Sequence, residues 1–163
     1  MGDVFSFQII GVAKPAGSKQ AFITKEKKAV VVDASGTAGR QWRALVQDAA
    51  LQRLKEDNIA PPLFPVGTPI MLAITYYLPR PKSHFNSRGE LKAQAPKYHC
   101  SKPDALKLTR AIEDALTGIC WHDDGQIAAE VIIKRYTNGV PFVEVTVREL
   151  SSEAVLDYCV IKP

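Results

Sequence analysis

The chain holds three cysteines, Cys100, Cys120 and Cys159, and no CxxC spacing. An odd count without paired spacing excludes a disulfide framework and a cysteine zinc site, and fits a reducing cytoplasm. No stretch approaches the roughly eighteen consecutive apolar residues of a membrane helix. The first residues lack a cationic leader followed by an apolar run, so a soluble, intracellular protein is expected. There is no GxGxxG or Walker-type loop and no internal repeat, which removes the common nucleotide-binding and solenoid classes. What remains, 163 residues with 46% hydrophobic and 23% charged content, is enough for one domain with a real core, expected to span 1–163.

Charge is unevenly placed. The formal net charge is +4, yet 79–103 alone carries Arg80, Lys82, Arg88, Lys92, Lys97 and Lys102 against Glu90. The rest of the chain is nearly neutral, so an anionic partner would meet this segment first. A loop that long is either functional or a solvated excursion.

Periodicity orders the remainder. Phe5, Phe7 and Ile9 alternate with Ser6 and Gln8 within Val4–Val12, the pattern of a half-buried strand. Lys14 to Lys19 reads as a loop, with short strands at Ala21–Thr24 and Ala29–Val32 and a hairpin tip at Lys25 to Lys28. Ser35 or Thr37 caps a helix to about Lys55, in which Trp42, Leu45, Val46 and Ala49 recur at helical spacing. Ile70–Leu78 is apolar enough for a more deeply buried, central strand. Gln126–Tyr136 and Val140–Arg148 flank Thr137, Asn138 and Gly139, a turn that predicts a hairpin. The expected fold class is α+β, a mixed β-sheet with two main helices packed on it.

The chemistry concentrates between Lys102 and Gln126. Pro103 favours a helix start and Asp104 can cap it. On a wheel of about 100° per residue, Ala105, Leu108, Ile112, Ala115 and Leu116 form one apolar stripe. Asp104, Lys107 and Asp114 share a polar flank with Arg110 close by. Leu106 falls among the polar residues. Thr117 and Gly118 end the helix, Trp121 anchors the turn, and Asp123 and Asp124 follow. Adjacent residues on extended chain point opposite ways, so one aspartate, Asp124, is favoured as a direct cation ligand and Asp123 as its support or alternate. Converging carboxylates suit Mg²⁺ and cations beside them suit a phosphate backbone, the ingredients of a metal-dependent nuclease. The plainer reading is that these acids cap a helix and shape a turn.

These residues resemble the RusA family of Holliday junction resolvases of bacteria and their phages. Its pattern, approximately K-P-D-x-D-[NK]-L-x-[KR]-x-x-x-D-A-L followed by an aromatic and D-D-x-[QR]-[IV], is matched by Lys102, Pro103, Asp104, Leu108, Arg110, Asp114, Ala115 and Leu116, then Trp121, Asp123, Asp124, Gln126 and Ile127. Gly11 to Lys19, Arg80 to Phe85 and Ala95 to His99 resemble further family segments, so the similarity spans roughly 8 to 136.

The resemblance implies a homodimeric endonuclease, dependent on Mg²⁺ or Mn²⁺, that cleaves four-way or otherwise branched DNA in recombination and repair. By position, Asp104 and Asp124 are implied as metal-binding catalytic carboxylates, Asp114 as a further acid and Arg110 as the counterpart of a functional lysine. Arginine keeps the charge but is a poor proton donor, so its role is electrostatic. Lys14, Lys19, Lys82, Lys92, Lys97, Lys102 and Lys107 would contact the DNA backbone. The family's second aspartate is Leu106 here. Either Glu113, Asp114 or Asp123 compensates, or the protein is a weakened enzyme that binds branched DNA without cutting it efficiently. A small phage structural or regulatory protein is the more distant alternative.

Overall fold

The computed structural model describes residues 4–17, 19–23, 29–33 and 36–150. Strand β1 (Phe5–Ile10) buries Phe5, Phe7 and Ile9 and exposes Ser6, Gln8 and Ile10, as its alternation dictates. β2 (Lys19–Ile23) and β3 (Ala29–Asp33) form a separate antiparallel ribbon. The expected hairpin tip at 25–28, the cap at Ser35 and Cys159 lie outside the described residues, and Thr37, the alternative cap, lies inside the helix that begins at Gly36.

Helix α1 (Gly36–Glu56) buries Trp42, Val46, Ala50 and Leu54, one residue every four, against β1 and the second helix. It is followed by β4 (Ile70–Pro79), then α2 (Ala105–Leu116), β5 (Ile127–Thr137) and β6 (Phe142–Glu149). The main sheet has the order β1-β6-β4-β5 and is mixed: β6 is antiparallel to β1 and β4, and β5 is parallel to β4. Both helices pack on the face carrying Phe7, Ile9, Leu72, Ile74, Val145 and Val147, all buried. No helix among the described residues is long and apolar enough to cross a membrane.

The hairpin expected of β5 and β6 does not form. β4 lies between the two strands. Thr137, Asn138 and Gly139 reverse the chain as their turn chemistry requires, but residues 138–141 also step across one strand. Two strand spacings are about 10 Å, within the reach of four extended residues at about 3.3 Å each. Turn composition fixes the reversal; it does not fix the partner.

The 79–103 segment is built rather than floppy. Arg80 donates through Nε to Asn138 Oδ1 at 2.6 Å and through a terminal nitrogen to the Pro96 carbonyl at 2.7 Å. Asn86 Oδ1 accepts from the Arg88 and Glu90 amides at 2.9 Å each. A single turn of 3₁₀ helix (Lys82–His84) leads into an antiparallel bridge between Phe85 and Leu91. The segment then returns along the outer edge of β5: His99 N–H donates to the Lys134 carbonyl at 3.0 Å and Tyr136 N–H to the Lys97 carbonyl at 3.1 Å.

Candidate active site

Helix α2 is set by its apolar stripe. Leu108, Ile112, Ala115 and Leu116 are fully buried. Thr109, also buried, meets the Tyr76 hydroxyl on β4 at 3.4 Å, and burial pushes that hydroxyl well above its usual range. This contact gives the buried Thr109 hydroxyl a partner within the core. Leu106, in contrast, is 72% exposed, as its place on the wheel predicts.

The register of β4 with β5 pairs Leu72 with Glu130, Ile74 with Ile132 and Tyr76 with Lys134. Glu130, Ile132 and Lys134 therefore share the helix-bearing face of the sheet. At one end of α2, Lys134 Nζ donates to the Ser101 and Pro103 carbonyls at 2.8 Å each. At the other, the Glu130 carboxyl is hydrogen-bonded to that of Glu113. The helix thus runs back along β5, and its two ends carry different chemistry.

Asp104 occupies the N-cap of α2, exposed, without a side-chain capping bond. Nine residues, about 14 Å of helical rise, separate it from Glu113. That distance exceeds what one ion can bridge. Arg110 lies between them on the exposed surface, one turn before Glu113 and one turn after Leu106. Asp114 leans toward α1, where Arg43 approaches its carboxylate at 3.6 Å. The polar arc read from the sequence is thereby split, with Asp114 facing α1 and Glu113 facing β5.

The two adjacent aspartates also divide. Trp121 is fully buried and donates from its indole nitrogen to Thr117 Oγ1 at 3.2 Å. Gln126 holds the turn from both sides: its amide donates to the Pro65 carbonyl at 2.8 Å, and its oxygen accepts from the His122 amide at 2.9 Å. Asp123 accepts from the Gly125 amide at 2.8 Å and completes a capping box over the short helix Asp124–Gln126. Its carboxylate is engaged in the turn. Asp124 instead lines an open cleft of about 480 Å³ with Glu113, Gly125, Ile127 and Glu130.

Burial, the hydrogen bond to Glu130, and the charges of Glu130, Asp124 and Asp114 together push the Glu113 carboxyl up to about 7. The donors are all oxygen, which suits a hard divalent ion, and a proton held between two carboxyls is one such an ion would displace. Among the described residues, no three His, Cys, Asp or Glu side chains are close enough to form a ready-made cage. The cleft gathers donors of the right kind without closing them. Glu130 escaped the sequence reading. The available signal was its place in the alternation Glu130, Ile132, Lys134, Tyr136, a charge on the helix-facing side of a strand.

The basic residues are spread over several segments; Lys14, Lys102 and Lys107 lie at this helix. Ala16 N–H donates to the Lys107 carbonyl at 2.8 Å, bringing the segment with exposed Lys14 alongside α2. Lys82, Lys97, Lys102 and Lys107 are exposed. Lys92 donates to the Ser83 carbonyl at 2.8 Å. Lys19 belongs to β2, where side chains are not described.

A family model described as Endodeoxyribonuclease RusA matches residues 13–148 of this chain. The chain is also 28% identical over 153 residues, 92% of its own length and 99% of the relative's, to the Uncharacterized protein YqaN of Bacillus subtilis (strain 168).

Proposed function

The chain belongs to the RusA endodeoxyribonuclease family, and on that premise we propose that it is a Mg²⁺-dependent endonuclease of four-way and related branched DNA, with Mn²⁺ as a substitute ion. The observation that carries the reading is that Asp124, Glu113 and Glu130 line one open cleft at the C-terminal end of α2, in a chain whose 79–103 segment concentrates positive charge. Asp124, Glu113 and Glu130 would hold the ion, which, when bound, supplies Lewis-acid polarisation of the phosphate and a more acidic water. Arg110, exposed one turn away, neutralises charge on the phosphate without serving as a proton donor. Asp123 positions Asp124 through the capping box. Lys14, Lys82, Lys97, Lys102 and Lys107 supply backbone contacts whose strength falls with salt.

Asp104 belongs to the matched motif but sits at the other end of α2. Comparing Asp104→Asn with Glu113→Gln tests which end of the helix takes part in the chemistry. Two cuts across a two-fold symmetric junction require two sites, so the working form is a homodimer.

The test is incubation with a synthetic four-way junction and Mg²⁺ or Mn²⁺, with linear duplex as control. Paired nicks in the junction alone are the expected result. A second reading, a junction-binding protein with weakened cleavage, is favoured by the exposed Leu106 where the family motif has a carboxylate; it predicts gel retardation without nicks under either ion.

A further inference from the structure

Tyr98 is 53% exposed, in a segment otherwise rich in lysine and arginine. Its backbone is fixed against β5 by the bridge to Arg135 and by the flanking hydrogen bonds of Lys97 and His99. The ring itself has no packing duty in the core. Two cations attend it: Lys97 Nζ lies 5.9 Å from the ring centroid and the Arg135 guanidinium 5.6 Å. Behind it, Tyr136 is contacted by His84 at 4.8 Å, His99 at 4.9 Å and Arg80 at 5.2 Å between ring or charge centres. That cluster lies on the opposite face of β5 from Tyr98 and holds the loop in place.

An exposed, preorganised aromatic ring with cations at its margin matches what unpaired nucleobases require: a π-face to stack on and positive charge for the adjoining phosphates. Charge argues against a second copy of this chain as the occupant, because a two-fold contact here would bring Lys97 and Arg135 against their own duplicates. We infer that Tyr98 is a stacking platform for a nucleobase left unpaired at the branch point of the DNA. The inference rests on the branched-DNA reading above and adds a site outside the acidic cleft. Paired duplex offers no free base face, so this contact would favour branched over linear DNA.

The experiment uses a four-way junction with 2-aminopurine at the branch point. Wild type should quench the probe on binding; Tyr98→Ala should lose the quenching and bind about tenfold more weakly, as loss of one aromatic stack predicts. Tyr98→Phe should behave as wild type, because the ring and not the hydroxyl acts. If wild type and Tyr98→Ala retain the junction equally and quench alike, the platform is refuted while the branched-DNA reading stands. If wild type fails to retain the junction, both fall. If Tyr98→Ala instead turns a dimer into a monomer in sedimentation, the ring belongs to a subunit contact and the inference is overturned.

Discussion

Glu113 on α2 and Glu130 on β5 place their carboxyl groups in hydrogen-bonding contact, and Glu113 keeps its proton up to about 7. In the unfolded chain the same group ionises near 4.5. Below 4.5 both states are protonated and the stabilisation is fully present; as pH rises through 7 it is lost. Because the site is partly open to solvent, the change is about 1 kcal/mol after allowing for screening. Urea midpoints taken without divalent ions should fall across this window, and Glu113→Gln should flatten the profile.

Asp124→Asn should reduce junction cleavage by about a hundredfold or more, since a ligand that anchors the ion contributes several kcal/mol at the transition state. Gel retardation in the absence of Mg²⁺ should hardly change, because the lost carboxylate only repels phosphate. Cleavage at the wild-type rate would remove Asp124 from the site.

Leu106→Asp should leave the melting temperature nearly unchanged, as an exposed substitution alters stability by about 0.5 kcal/mol or less. Cleavage at limiting Mg²⁺ should rise several-fold. An unchanged Mg²⁺ titration would mean that Glu113 and Glu130 already make good the missing carboxylate.

Trp121→Ala should destabilise the fold by about 3–5 kcal/mol, the range for removing a fully buried large aromatic. The more conservative Trp121→Phe keeps most of the packing but loses the bond to Thr117. It should lower cleavage more than junction affinity, because the turn carrying Asp123 and Asp124 loses its anchor; equal losses would show that the tryptophan serves the core alone.

Much of this was legible from spacing. The stripe of Leu108, Ile112 and Leu116, the outlying Leu106 and the buried Trp121 all follow from local periodicity, which a helix or a tight turn converts directly into direction. The matched motif also identified the family correctly. The Glu113–Glu130 contact was not legible, because it depends on β5 lying parallel to β4 in one particular register. The same missing information misassigned β6 as the partner of β5. Asp114 and Glu113 are neighbours in sequence but face different elements, a distinction that rests on where α1 and β5 flank the helix.

By lying along 134–136, residues 97–99 shield the second half of an outer strand whose amides and carbonyls would otherwise recruit foreign chains. Trimming the loop to reduce its charge would therefore do more than weaken electrostatic attraction. It would leave a sticky border, and the shortened protein would be prone to self-association through strand addition.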